Sequence, residues 1–181
     1  MNFSELITKR QSVRHYADRE VELEKIIQCI DAARLAPSAS NSQPWTFVVV
    51  REEPLRNQVA EACSGPLKTF NRFVNEAPVI VVMVIEKPKA ITELGGRIKK
   101  KDYPLFDIGI AAEHFCLQAA ELGLGTCMLG WFSEKKIQKL LHIPPKKTIG
   151  LVITLGHTPP DYPLREKIRK PLEKVLRFER Y

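Results

Sequence analysis

Residues 36–45 read Ala36-Pro37-Ser38-Ala39-Ser40-Asn41-Ser42-Gln43-Pro44-Trp45. The stretch holds two prolines, three serines, one Asn, one Gln and no charge. An apolar helical pattern ends near Ala36, and the apolar run Thr46-Phe47-Val48-Val49-Val50 follows. Asn and Gln each offer donors and an acceptor, so the loop suits a neutral, planar, heteroatom-edged ligand better than a phosphate or a metal. The prolines restrict φ and lower the entropy cost of presenting those groups. A plain helix-to-strand connection would account for the serines alone. It accounts less well for the whole polar string closed by Pro44-Trp45.

Two basic segments lie toward the ends of the chain. The first is Lys9-Arg10-Gln11-Ser12-Val13-Arg14-His15-Tyr16, and the second is Arg165-Glu166-Lys167-Ile168-Arg169-Lys170-Pro171. Arginine forks match phosphate oxygens, and a serine hydroxyl can add a bond. The two segments could meet on one phosphate or could be solubilising charge.

The order and spacing of these motifs resemble the FMN-dependent nitroreductase family over nearly the whole chain. The resemblance rests on Arg10-Gln11-Ser12-Val13-Arg14, Pro37 to Trp45, Leu122-Gly123-Leu124-Gly125-Thr126-Cys127-Met128-Leu129-Gly130, and Lys167 to Pro171. Gln11 stands where the family pattern often has Arg or His. The resemblance implies an α+β fold, with a central, mainly antiparallel sheet flanked by helices in an intertwined homodimer. It implies FMN as cofactor, with NADH or NADPH delivering hydride to flavin N5 and a nitroaromatic or quinone as typical acceptor, in ping-pong order. Arg10, Gln11, Ser12, Arg14, Lys167 and Arg169 are then expected around the phosphate, ribityl chain and N1 side. Pro37, Ser38 and Ala39, with Asn41 and Gln43 nearby, are expected at the ring edge from the opposite subunit. Leu129 and Gly130 supply close-approach backbone near N5. Arg14 is a candidate either for the N1 side of the ring or for the phosphate.

The bulk numbers agree with one domain over residues 1–181, in which 156–181 form an extended, proline-rich tail. Apolar residues make up 44% and charged residues 27%, which is ordinary for a globular chain. Net charge is +7, and nucleic acid is the usual suspect for such a bias. No helix-turn-helix, zinc spacing or aromatic RNA-binding strand supports that, and a phosphorylated cofactor explains the charge at least as well. A non-catalytic basic module is the rival from another class. Within the same fold, flavin destruction, dehalogenation or azoline oxidation is the other alternative. Cys29, Cys63, Cys116 and Cys127 form no C-x-x-C pair, and buried thiols are expected rather than metal ligands. No leader pattern opens the chain and no apolar run reaches bilayer length, so a cytoplasmic protein without nucleic-acid or membrane partners is expected.

Periodicity predicts helices over 3–9, about 23–35, 54–63, 105–122 and 133–141. Strands are predicted over 47–50, 79–85, about 127–129 and 148–155. Gly65-Pro66 marks a break, and 86–102 reads as an exposed excursion with a short helix. The 105–122 stretch is apolar almost all round, which calls for a partner surface. Gly123 follows that helix, whereas a dinucleotide-binding glycine motif would precede one, so a Rossmann reading is rejected. Trp45 is assigned to the core and Trp131 to a pocket wall. No catalytic triad stands out among His15, His114, His142 and His157, as suits an enzyme whose cofactor carries the chemistry.

Overall fold

The computed structural model describes residues 1–65 and 70–181. The predicted break at Pro66 lies outside them. In chain order the elements are α1 (Phe3–Lys9), α2 (Leu23–Arg34), β1 (Trp45–Val50), α3 (Glu53–Cys63), β2 (Val79–Ile85), α4 (Ala90–Lys99), α5 (Tyr103–Glu121), β3 (Leu124–Leu129), α6 (Glu134–Leu140) and β4 (Thr148–His157). The strands form one sheet in the order β1-β2-β4-β3, and every neighbouring pair is antiparallel.

The central strand shows why the sheet sits where it does. Val79, Val81 and Met83 face a core built with α2 and α5, where Ile26, Ile108, Ala112 and Phe115 pack. Ile80, Val82 and Val84 face the opposite core, with Val59 of α3 and Ile137 of α6. Successive strand side chains point to opposite faces, so a sheet covered on both sides needs an unbroken apolar run. That is the reason Val79–Ile85 shows no alternation.

Local signals set the ends of several elements. Asn2 and Glu5 form a capping box that starts α1: Asn2 Oδ1 accepts from Glu5 N at 2.9 Å and Glu5 Oε2 accepts from Asn2 N at 3.1 Å. Pro54 sits in the first turn of α3. The excursion does contain a helix, α4. The α5 helix buries Ile108, Ala111, Phe115 and Cys116 but leaves Leu105, Phe106 and Ile110 exposed.

Several boundaries differ from the sequence reading: β1 starts at Trp45 and not 47, β3 at Leu124 and not 127, and α5 at Tyr103 and not 105. Strand β4 runs to His157, so the extended tail begins at Thr158 and not at residue 156. Gly156 pairs with Gly125 of β3, and a Cβ on it would lie 2.7 Å from Pro78 Cδ and 2.7 Å from Tyr16 Cδ1. Beyond Thr158 the only regular element among the described residues is one short turn of 3₁₀ helix, Leu172–Lys174.

Candidate functional site

The two basic segments meet beside β3, the edge strand. Residues 10–14 are laid along it: Ser12 pairs in parallel with Thr126, and Val13 N donates to Thr126 O at 2.8 Å. Gly125 makes this contact possible, since a Cβ on it would lie 2.7 Å from Val13 Cγ2. The tail then folds back. Gln11 Nε2 donates to Pro163 O at 2.9 Å, and Gln11 Oε1 accepts from Arg165 N at 3.1 Å. The Arg165 guanidinium donates to Ser12 O, and Lys167 Nζ donates to Arg10 O. Tyr162 Oη accepts from Arg14 N at 3.0 Å.

This arrangement gathers positive charge faster than it neutralises it. The Lys167 ammonium is held below the ordinary lysine range, first by burial, then by the nearby Arg10 and Arg169 cations. Glu113 on α5 is the one carboxylate paired with the group among the described residues, its Oε1 3.2 Å from Arg10 Nε. Arg10 is only 24% exposed at its side chain, and its Nε makes no hydrogen bond of proper geometry. The Glu113 contact is thus an ion pair without a well-aligned hydrogen bond, and a phosphate would offer the guanidinium aligned acceptors. Arg169 is exposed and donates to its neighbour Ile168 O at 2.8 Å.

Arg14 stands a little apart. Its guanidinium carbon lies 5.9 Å from the Phe73 ring centroid. Burial pushes the Cys127 thiol up, and Arg14 is the strongest influence pulling it back, ahead of the Ser12 hydroxyl, Arg165 and Arg10. Arg14 therefore faces the middle of β3. Past that point Leu129 is buried and Gly130 is exposed, with open space where a Cβ would be. Trp131 lies next, 60% exposed and edge-on to Phe70, on the wall of a cleft of about 710 Å³. Asn71 Nδ2 ties this wall together, donating to Cys63 O at 3.2 Å and Trp131 O at 3.4 Å.

The polar loop is held from α4 and α5. Asp107, 4% exposed, takes Ala39 N between its oxygens at 3.1 and 3.2 Å. Burial raises its pKa, and the Ala39 bond partly opposes that. Thr92 donates to Ala39 O at 3.2 Å and meets the Ser42 hydroxyl at 2.9 Å. Ser40, Asn41 and Gln43 sit at φ near +50, a region that costs non-glycine residues energy unless surroundings enforce it. Part of the loop's polarity serves the loop itself: Ser38 Oγ accepts from Gln43 N, and Asn41 Oδ1 accepts from Gln43 Nε2, both at 2.9 Å. Pro37 is exposed at its start.

Within one chain the loop and the cationic group are not joined by any hydrogen bond or ion pair among the described residues. Both are tied to α5, at Asp107 and Glu113. Six residues of α-helix rise roughly 9 Å and leave the two carboxylates on faces about 120° apart.

The remaining groups are structural. Cys29, Cys63 and Cys116 are pushed up to about 12 by burial, so they remain thiols. His114 Nδ1 lies 3.3 Å from Ala32 O, and His157 Nε2 lies 3.3 Å from Glu22 Oε2. Trp45 is in the core. Sequence reasoning missed Arg165 as a member of the group, and Asp107, Glu113, Thr92 and Asn71 altogether. The available signal was the pair of acids inside an otherwise apolar helix. No described helix is long and apolar enough to cross a membrane.

Comparison with known proteins bears on the family and the fold. The profile of the Nitroreductase family matches residues 7–72 and 66–157. A relative in Archaeoglobus fulgidus, whose name couples NADH dehydrogenase with NAD(P)H nitroreductase, is 33% identical over 90% of this chain and 86% of its own length. An iodotyrosine deiodinase from Thermotoga neapolitana is 25% identical over 91% of this chain and 94% of its own. Among solved structures, an FMN-dependent nitroreductase from Clostridium difficile R20291 superposes with a TM-score of 0.75 at 28% identity, covering 97% of this chain and 98% of that one.

Proposed function

The chain belongs to the nitroreductase family, and on that premise we propose that it is an FMN-dependent oxidoreductase passing hydride from NAD(P)H to a small acceptor such as a nitroaromatic or quinone. The observation that carries the reading is the convergence of Arg10, Arg165, Lys167 and Arg169 beside β3, with Glu113, 3.2 Å from Arg10 Nε, as the one paired carboxylate among the described residues. FMN fits that deficit, because one terminal phosphate supplies both the charge and the acceptors. Bound there, FMN supplies a two-electron carrier between the nicotinamide and the acceptor.

The chain's own groups then have separate tasks. Arg10, Lys167 and Arg169 hold phosphate, while Arg165 and Gln11 fix the segment that presents them. Ser12 lies toward the ribityl chain. The Arg14 guanidinium lies over the Phe73 ring, and its backbone N donates to Tyr162 Oη, an arrangement in which we assign it to the N1 side of the ring and not to the phosphate. Leu129 and Gly130 leave open space for a flat ring to approach the backbone. The Trp131 cleft has the volume of a small-molecule pocket and would take the acceptor after the nicotinamide has left, giving ping-pong order.

The ring-edge loop comes from a second copy in this reading. Pro37, Ser38, Ala39, Asn41 and Gln43 are fixed to a face of α5 turned away from the same chain's cations. Leu105, Phe106 and Ile110 on α5 are exposed, as are Ile168 at 87% and Phe178 at 76% on the tail. Apolar side chains exposed on an extended tail fit a surface that embraces a partner. The likeness to an iodotyrosine deiodinase supports reductive dehalogenation as the second reading.

The test is the spectrum of the purified protein, then release of the flavin by heat, chromatography, and anaerobic titration with each nicotinamide. FMN reduced by NADH or NADPH, with a nitroaromatic or quinone as acceptor in ping-pong kinetics, is the expected result. A colourless protein that refuses FMN would sink the reading. Iodotyrosine as the efficient acceptor would favour the second.

A further inference from the structure

A second cationic cleft, of about 830 Å³, lies between α4, the start of α5 and the turn that leads into β4. Six of its lining residues are basic (Lys87, Arg97, Lys100, Lys101, Lys146 and Lys147), against three acids, Glu86, Glu93 and Asp102. Two of the acids are already engaged. Glu86 takes Lys147 Nζ at 2.6 and 2.7 Å. Glu93 takes Arg97 at 2.6 Å and Lys87 at 3.7 Å. Lys100, Lys101 and Lys146 have no ion pair among the described residues.

The lysines are presented by fixed backbone. Lys100 sits at φ +53, at the C-terminal end of α4, and Lys101 N donates to Gly96 O at 2.9 Å. Tyr103 and Pro104 add a flat, partly apolar wall to the same cleft. Unneutralised ammonium groups beside an aromatic face suit a phosphorylated purine, whose ring stacks while its phosphates meet the lysines.

The cleft and the ring-edge loop share one anchoring residue. Thr92 lines the cleft and also holds Ala39 O and Ser42. Lys89 Nζ, one turn before, donates to Ser40 O at 3.1 Å. A long ligand with one end at the ring edge could cross the outer face of the loop, beside Lys89, and lay its other end in the cleft. From this juxtaposition we infer that the cleft takes the adenosine end of the nicotinamide donor, and that Lys100, Lys101 and Lys146 read a phosphate on its ribose, so that NADPH is preferred to NADH. The inference rests on the oxidoreductase reading above.

Two measurements test it on the purified, flavin-containing protein and on a Lys100→Gln/Lys101→Gln/Lys146→Gln variant. In calorimetric titration, adenosine 2′,5′-bisphosphate should bind at least tenfold tighter than adenosine 5′-monophosphate or inorganic phosphate, and the variant should lose that advantage. In steady-state kinetics, the variant should raise KM for NADPH about tenfold or more, with KM for NADH, kcat and flavin absorbance unchanged. Equal affinity for bisphosphate and monophosphate, inorganic phosphate binding as well as either, or equal KM changes for both nicotinamides would overturn the assignment. A colourless protein reduced by neither nicotinamide would instead strike at the oxidoreductase reading. In that case bisphosphate affinity, with or without the three lysines, would still decide what the cleft binds.

Discussion

The Asp107 carboxylate reaches across from α5 to the backbone of Ala39, both its oxygens within 3.2 Å of one N–H. A buried carboxylate that anchors a loop does two opposed things. It holds Ala39 with a charge-assisted bond of roughly 1.5–3 kcal/mol, and it keeps a charge where water is scarce. Asp107→Ala should release the loop, letting Ser40, Asn41 and Gln43 leave their left-handed conformations, and should weaken flavin binding. Asp107→Asn keeps an oxygen for Ala39 and should bind flavin nearly as well as the parent. The pH sign follows from the raised pKa. The folded state holds the proton more tightly than the unfolded state, so the parent loses stability as pH rises through the raised value. The Asn variant lacks that loss. Urea unfolding of both proteins at acid and at neutral pH should show the variant gaining on the parent as pH rises; a constant difference would contradict the account.

Gly125 and Val13 form the contact that lays residues 10–14 on β3. Gly125→Ala would place a Cβ 2.7 Å from Val13 Cγ2 and 2.9 Å from Val13 Cβ, and the β-branched valine has little freedom to move aside. The overpacking should cost roughly 1–3 kcal/mol. It should also lower FMN affinity, because the displaced segment carries Arg10, Ser12 and Arg14. Adding Val13→Ala should recover part of both losses. Thermal unfolding and FMN titration of the single and double variants measure the coupling, and strict additivity would show that the two residues do not meet.

The elements themselves were legible because their signals are local. The Asn2–Glu5 cap, Pro54 in a first turn and the unbroken Val79–Ile85 run are each written within a few residues. Strand β4 ran two residues past its predicted end because Gly156 and His157 pair with Gly125 and Leu124 on β3, a pairing no local pattern encodes. The site was legible in kind but not in assembly. The polar loop announced a planar ligand, yet its anchor Asp107 lies 68 residues away. The basic segments announced a phosphate, yet Arg165 meets Ser12 across 153 residues, and no periodicity encodes such a meeting.

Glu113, 3.2 Å from Arg10 Nε, competes with a phosphate for the guanidinium. Arg10→Ala should lose a charge-assisted contact of roughly 1.5–3 kcal/mol, a fall of about 10- to 150-fold in FMN affinity. Arg10→Lys should recover only part of it, since an ammonium does not fork. Glu113→Gln should act in the opposite direction, because it removes the anion now facing Arg10. Flavin fluorescence on titrating apoprotein reads all three, and weaker binding in the Glu113 variant would show that the carboxylate orients Arg10 for phosphate.

Glu86 and Lys147 close the ends of β2 and β4. Lys147 Nζ lies 2.6 and 2.7 Å from the two oxygens, Thr46 donates a further bond at 2.9 Å, and the carboxyl is held below its ordinary range chiefly by Lys147. A depressed carboxylate contributes stability above its unfolded pKa and loses it as pH falls through the folded one. Lys147→Met should therefore destabilise by about 1 kcal/mol near neutrality, a modest cost because both side chains are about a third exposed. The difference should vanish at acid pH. Chemical unfolding across that range checks it, and a difference that persists in acid would assign the cost to lost packing.

The tail tests the two-chain site. Ending the chain at Thr158 removes Tyr162, Arg165, Lys167 and Arg169 together, so loss of flavin there would follow from lost cations alone. Ending it at Lys170 is the sharper experiment. That chain keeps Arg165, Lys167 and Arg169 and loses only the segment carrying Leu172, Val175, Leu176 and Phe178, all exposed in one copy. If those side chains seat on a partner, the shortened protein should become monomeric at low micromolar concentration. It should also lose most of its flavin, because the loop around Ala39 would no longer reach the other chain's cations. Sedimentation with simultaneous absorbance at protein and flavin wavelengths reads both properties in one run. A shortened chain that stays dimeric would place the dimer contact on α5 and residues 158–170, and a yellow monomer would show that one chain builds the whole flavin site.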